Sequence, residues 1–494
     1  MHEQDEAAAP AGIEPAGGAV SNPEPRAGGV AGLVRRHPTA WSIAAGALVF
    51  ALLGTGALFA GSAAGSPGPA PVAVSTPSAA APVAHRPAPS AIPAASKLRS
   101  CSVAELAADS RLASFQAQVV SAASGEVLFD RGGAIPSRAA SVLKVLTSAA
   151  ALSVLGPGYR ATTTVVKGVE PGSVVLVGGG DITLSRTPSG DESVYAGAAH
   201  LDDLAGQVRA AWNADPSNPP LTALILDASL FGGDEWQPSW NRKELSDGYM
   251  PPITALQTDG DRDNPYKNTS ARSDDPIGRA GGAFAEALGG GVSVQRGTAP
   301  AGAAQLGAVS SQPVSTLIQQ SLIVSDNAIA EMLARLVAVK LGTGNSFDAL
   351  QTAIIGGLQP YGIDTSGIVV ADGSGLSDDN AVPPSYLTRF FIKVNAREGD
   401  LGIIFDGLPI AGETGSLSYS DRFTGDSSVA DGSVFAKTGW IDTGYTLAGI
   451  VHAQDGTVLT FAVYALGDVS DDAKTAIDAI TAGFYRCGDN LSNN

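Results

Sequence analysis

The sequence predicts an α+β protein whose main sheet is antiparallel, faced by helices, accompanied by a helical subdomain and interrupted by an inserted, mostly-β domain. Alternating apolar runs that read as β-hairpins lie near both ends of the chain, around residues 115–129 and 444–464. The only two cysteines, Cys101 and Cys487, stand just outside those hairpins. Between them, two helical blocks enclose a long stretch rich in Gly, Asp and Pro.

In chain order, residues 1–39 form a cytoplasmic tail that ends near Arg35 and Arg36. Residues 40–60 carry no charge and have about the length of a transmembrane helix. The arginines before this run place the tail inside and all that follows outside. A cleaved secretory signal is the rival reading, and it exports the remainder equally. Residues 61–97 are a Pro/Ala/Ser-rich linker without amphipathic period, which reads as an extended tether. Localisation is therefore expected at the cell membrane, single-pass, with the folded part extracytoplasmic, on the cell-wall side. In that compartment Cys101 and Cys487 are expected to form a disulfide joining the two ends of one domain, against the alternative of two unrelated buried thiols.

The folded part opens with a short helix, Val103 to Leu112, and a hairpin, Phe115 to Val120 with Glu126 to Phe129. A helical block runs from Ser137 to Leu155 and a second from Val314 to Leu341. Residues 98–160 and 306–494 are assigned to one discontinuous domain, and 161–305 to the insertion, with strands at Ser173–Val177 and Leu221–Leu226. A strand at Gly432–Ala436 precedes the second hairpin, Gly444–His452 and Thr457–Tyr464, turned at Asp455-Gly456. An amphipathic helix from Asp471 to Tyr485 closes the fold.

Composition excludes several functions. The net charge of −18 is wrong for a nucleic-acid partner. Of five histidines, His2 and His37 precede the apolar run and His85 lies in the linker, so only His200 and His452 fall in folded sequence. With no G-x-S-x-G elbow and no H-E-x-x-H, neither a Ser-His-Asp hydrolase nor a zinc enzyme is indicated, and no metal or cofactor is expected.

What remains is an active-serine set. Ser141 and Lys144 lie three apart at a helix start, on one face. A lysine desolvated there can take the serine proton and make a nucleophile of the hydroxyl. Ser325-Asp326-Asn327 heads another helix, offering a proton relay in Ser325 and an amide-binding group in Asn327. Lys437-Thr438-Gly439 ends an apolar strand; its cation and hydroxyl on the strand edge suit a substrate carboxylate, and Gly439 lets a substrate backbone approach. Each word alone has a bland reading, as a surface helix, an N-cap or a turn. In this order they resemble the S-x-x-K, S-D-N and K-T-G set of penicillin-binding proteins and class A β-lactamases.

Further stretches narrow the likeness: Gly178-Gly-Gly-Asp-Ile-Thr-Leu184, Leu224 to Phe231, Tyr249-Met-Pro-Pro-Ile-Thr-Ala-Leu256, Asp372-Gly-Ser-Gly-Leu-Ser377, Leu408 to Gly412, Gly415-Ser-Leu and Arg422-Phe423. With the long gap between the first two words, residues 100–487 resemble the D-alanyl-D-alanine carboxypeptidase/endopeptidase family, the class C low-molecular-weight penicillin-binding proteins of the S13 peptidase type. The resemblance implies a penicillin-binding/β-lactamase-like transpeptidase fold. It also implies cleavage of peptidoglycan stem peptides through an acyl-enzyme, and acylation by β-lactam antibiotics. It makes Ser141 the nucleophile, Lys144 its base, Ser325 and Lys437 the rest of the proton network, Asn327, Thr438 and Gly439 the substrate-binding groups, and the N–H groups of Ser141 and Trp440 the oxyanion hole. The family commonly has a hydroxyl residue where this chain has Trp440, and a basic one where it has Asp378. Alternatives are a β-lactamase or active-serine esterase of the same superfamily, and a catalytically weak β-lactam-sensing or wall-binding protein.

Overall fold

The computed structural model describes residues 97–494. The predicted tail, anchor and tether lie outside the described residues, save for the tether's last residue. Among those described, no helix is long and apolar enough to cross a membrane.

The first strands of the described residues are β1 (Ser114–Ser121) and β2 (Val127–Arg131), the first predicted hairpin. The helix expected over 103–112 is reduced to Ala104–Ala107 and a 3₁₀ turn, Ser110–Leu112. Asp109 breaks it by accepting the Arg111 N–H as a cap. Helix α1 (Leu143–Val154) follows a 3₁₀ turn, Ala140–Val142, that carries Ser141.

The segment between residues 162 and 310 holds strands β3 (Thr162–Lys167), β4 (Ser173–Val177), β5 (Ala223–Asp227), β6 (Ser293–Arg296) and β7 (Gln305–Ser310). They form a second five-stranded sheet in the order β6-β5-β4-β3-β7. The pairs β4–β5 and β5–β6 are parallel, so each needs a crossover. Helices α2 (Leu201–Asn213) and α3 (Pro276–Ala287) lie in those crossovers. The expectation of a mostly-β insertion is corrected to a mixed α/β unit. The missed helices have plain signals: Leu201, Leu204, Ala205, Val208 and Trp212 recur at helical spacing and are buried, and Asp275-Pro276 caps and starts α3.

Helices α4 (Val314–Ile323) and α5 (Asn327–Leu341) make up the helical block expected over 314–341, and Ser325-Asp326 lies between them at the head of the second, as expected. After α6 (Leu350–Leu358) and α7 (Pro384–Asn395) come β8 (Val434–Ile441), β9 (Gly444–His452), β10 (Val458–Leu466) and α8 (Asp472–Cys487). Lys437-Thr438-Gly439 lies on a strand, as expected, and that strand runs on to Ile441. The Asp455-Gly456 turn sits in a longer loop closed by the Ala453 N–H to Thr457 carbonyl bond.

The main sheet has the order β2-β1-β10-β9-β8, antiparallel throughout. Its central strands separate two cores by strict alternation. Leu447, Val451, Leu459, Phe461 and Val463 face Ile480 and Phe484 of α8. Ala448, Ile450, Ala462 and Tyr464 face the other side, in the core that also holds residues of α1, α5 and α7. Helix α1 packs against both α5 and α6. It is buried nearly all round, its small residues permitting contact so close that a Cβ on Gly357 would meet Ala150 Cβ at 2.7 Å.

The Cys101–Cys487 disulfide ties α8 to the segment before β1, across a separation of 386 residues. Replacing both cysteines with serine is expected to lower the unfolding free energy by about 2–5 kcal/mol. Chemical denaturation of the double variant checks this, and an unchanged midpoint contradicts it.

Candidate active site

The three sequence words converge on one cavity of about 500 Å³, lined by Ser141, Ser325, Asn327, Thr438, Gly439 and Trp440 among others. Lys144 and Lys437 lie beneath it, both with no exposed surface.

Ser141 stands just before α1 because Ala140 turns the chain with a left-handed φ of 47°. Two elements hold that turn. Thr446 of β9 donates its hydroxyl to the Ala139 carbonyl at 2.7 Å. Gly375, with φ 84°, brings the loop 372–377 so near that a Cβ there would lie 1.9 Å from the Ala140 oxygen. Only glycine fits.

Lys144 Nζ lies 2.7 Å from Ser141 Oγ, 2.6 Å from Asn327 Oδ1 and 2.8 Å from the Ser374 carbonyl oxygen. A neutral amine has two N–H donors and one lone pair. The two carbonyl oxygens take the donors, which leaves the lone pair for the serine proton. Burial lowers the Lys144 pKa to about 8, while Asp372, Glu331 and Asp326 pull it back upward. A burial penalty only partly offset by negative neighbours leaves the amine poised near neutrality, which a general base needs.

Two buried carboxylates that sequence reasoning missed hold the loop that supplies the Ser374 carbonyl. Glu331 of α5 accepts the N–H groups of Gly373 and Ser374, the latter at 2.7 Å. Asp372 accepts from the N–H groups of Gly375 and Ser377, the Asn380 amide and the Trp240 indole. Burial, and then Asp372, push the Glu331 carboxyl upward. The stretch 372–377 was legible as a resemblance, but nothing in it announced that Asp372 folds the loop on itself. Glu331 reads as an ordinary helix residue.

Ser325 has a left-handed φ of 60°, costing a non-glycine residue about 1–2 kcal/mol. This conformation puts its Oγ 2.8 Å from Lys437 Nζ, which also donates to the Thr438 carbonyl at 2.8 Å. Burial, then the positive charges of Lys144 and Arg422, hold Lys437 well below the usual lysine pKa. Asn327 uses Oδ1 for Lys144 and donates Nδ2 to the Tyr249 carbonyl at 3.2 Å.

Strand β8 is the edge of the sheet. Its outward-facing groups are identified by the Ala436 N–H, which bonds to Pro409, and the Val434 carbonyl, which accepts from Ala411. Period-two geometry turns the backbone of Thr438 and Trp440 the same way, toward the cavity edge. Gly439 faces the turn that carries Ser141: a Cβ there would lie 2.2 Å from Thr446 Oγ1 and 2.9 Å from the Ala139 oxygen. Trp440 is 48% exposed, and its indole stands between Tyr249 and Tyr445, each at 6.3 Å between ring centres. Ser416 Oγ lies 2.7 Å from Thr438 Oγ1, a second hydroxyl on this floor. Asp378, at the rim, accepts from Thr443 and pairs with Arg138 at 3.4 Å.

The chain matches the D-Ala-D-Ala carboxypeptidase 3 (S13) family over residues 99–267 and 261–485. It is 38% identical over 380 residues to a carboxypeptidase, DacB, of Mycolicibacterium smegmatis, covering 75% of this chain and 80% of that protein. A carboxypeptidase of Mycobacterium tuberculosis is 35% identical over 390 residues, 78% of this chain and 83% of the relative. In fold the chain is similar to penicillin binding protein 4 of Haemophilus influenzae, with a TM-score of 0.62 at 20% identity, over 75% of this chain and 96% of that one. The match spans both sheets and every residue gathered at the cavity, and on that footing the chain belongs to the S13 family and is a serine-type D-Ala-D-Ala carboxypeptidase.

Proposed function

We propose that Ser141 is the acylated nucleophile in trimming peptidoglycan stem peptides, with Lys144 as its base. The 2.7 Å approach of Lys144 Nζ to Ser141 Oγ carries the reading. Lys144 takes the hydroxyl proton as Oγ bonds to the carbonyl carbon of the penultimate D-alanine. The oxygen left with the charge lies against the N–H groups of Ser141 and Trp440. Lys437 donates to Ser325 Oγ and turns its O–H toward the leaving nitrogen. Ser325 protonates that nitrogen as the C–N bond breaks, and the proton held by Lys144 makes good the loss. Asn327 holds the substrate amide, while Thr438, with Ser416, binds the terminal carboxylate above Gly439. Water then attacks the ester, Lys144 accepts its proton, and Ser141 leaves with a proton restored.

The same serine is open to β-lactams, whose strained amide replaces the peptide. Incubation of the full chain with a D-Ala-D-Ala-terminated peptide and with labelled penicillin tests the reading. Released D-alanine together with a lasting adduct is expected. Rapid penicillin turnover without peptide cleavage would indicate a β-lactamase, and an adduct without peptidase activity a sensor; either contradicts the reading.

With Lys144 at about 8, the acylation rate should rise about tenfold per pH unit up to that value and level above it. A profile flat between pH 6 and 9 would exclude Lys144 as the titrating base. For residues 40–60 we propose a retained anchor that leaves the catalytic domain outside the membrane. Recovery of intact full-length chain in the membrane fraction, with its catalytic domain open to external protease, is the expected result; a shortened, released chain contradicts it.

A further inference from the structure

Ser325-Asp326-Asn327 sits between two helices, yet its middle residue is held by the inserted segment. Asp326 Oδ1 caps α5 by accepting the Ile329 N–H at 2.9 Å. Its Oδ2 accepts from Arg262 Nη2 at 2.8 Å and from the Tyr195 hydroxyl at 3.0 Å. Arg262 also donates Nη1 to Tyr195 at 2.6 Å and Nε to the Asn268 carbonyl at 3.0 Å. All three side chains are buried, Arg262 being only 2% exposed. None of the contacts of Arg262 is to Ser141, Lys144 or Lys437.

The backbone that delivers Arg262 is itself unusual. Asp259, Gly260 and Asp261 have φ of 50°, 57° and 58°, three successive left-handed residues in the interior. The two flanking carboxylates hold them there. Asp259 accepts from Ser185 at 2.7 Å and from Arg186 Nη1 at 3.0 Å, and Asp261 accepts the Ser273 N–H at 2.7 Å and pairs with Arg279. Strain braced in this way over-determines the position of the next residue.

We propose that Arg262, delivered by this turn and backed by Tyr195, is a positioning residue that fixes Asp326 and thereby holds Ser325 in its left-handed conformation against Lys437. The inference rests on the reading of Ser325 as the proton relay. The inserted segment then contributes to catalysis from beyond the cavity wall, since a displacement of about 1 Å in a reacting group costs about 10²-fold in rate.

A double-mutant cycle in the full chain separates this from a merely structural role. Arg262→Met should slow penicillin acylation by about 10- to 100-fold, in the acylation rate constant rather than in the affinity of the preceding non-covalent complex. Adding it to Ser325→Ala should cost at most about threefold more, because the group it positions is gone. Arg262→Lys, able to reach Asp326 but not to hold Tyr195 and Asn268 together, should recover part of the loss. Should Arg262→Met fail to fold, Tyr195→Phe enters the same cycle, with the same lack of additivity expected. Additive losses, or wild-type acylation in the folded Arg262 or Tyr195 variant, would overturn the inference and leave the proposed function standing. Wild-type rates in Ser325→Ala would instead refute the relay, and this inference with it.

Discussion

Lys144→Met is expected to slow acylation of Ser141 by about 10²–10⁴-fold while the protein remains folded. The substitution is close to isosteric, and the site is buried on every side, so the side chain can be accommodated. What disappears is the lone pair that receives the serine proton. Two carbonyl acceptors, Asn327 Oδ1 and Ser374 O, also lose their donor, so a modest drop in stability should accompany the kinetic loss. Arginine should not rescue, because a guanidinium stays protonated and cannot act as a base. Stopped-flow acylation with a fluorescent penicillin measures the effect. Acylation of the methionine variant within tenfold of wild type would remove Lys144 from the mechanism.

The second large effect is expected at a residue that never meets substrate. Glu331→Ala deletes the acceptor of the Gly373 and Ser374 N–H groups, and both are buried with no other partner in reach. Leaving such donors unsatisfied costs about 1–3 kcal/mol each. The loop that places the Ser374 carbonyl on Lys144 should loosen, so stability and acylation should fall together. The sign of the pH effect follows from charge. Glu331 raises the Lys144 pKa, so its removal should move the acylation limb toward lower pH. A variant with wild-type denaturation and an unmoved limb would contradict both arguments.

The sequence exposed those parts of the site whose chemistry is written in neighbouring residues. Ser141 and Lys144 share a helix turn, so local spacing already brought their side chains close, and Lys437, Thr438 and Gly439 stand consecutively in one strand. The hairpins were equally plain, because a strand's faces alternate and the cores at Leu447 and Ala448 sit on opposite sides of one sheet. Contacts that depend on tertiary approach left no such mark. Glu331 lies 42 residues from the N–H of Gly373 that it satisfies, and Arg262 lies 64 from Asp326. Neither carries a spacing signal. The inserted unit was misread for a different reason: its turns are dense in Gly, Asp and Pro, and they hid the apolar period of α2 that starts at Leu201. Trp440 stands where the resemblance leads one to expect a hydroxyl residue. In the fold the indole leans on Tyr249 at 6.3 Å between ring centres, and Ser416 places a hydroxyl beside Thr438.

The central claim is that Ser141 forms the covalent bond. Accurate-mass analysis of the penicillin-treated full chain, followed by peptide mapping, tests it most directly. One adduct is expected, on the peptide containing Ser141 and absent from Ser141→Ala; an adduct on any other residue, or one that survives in Ser141→Ala, would contradict the account.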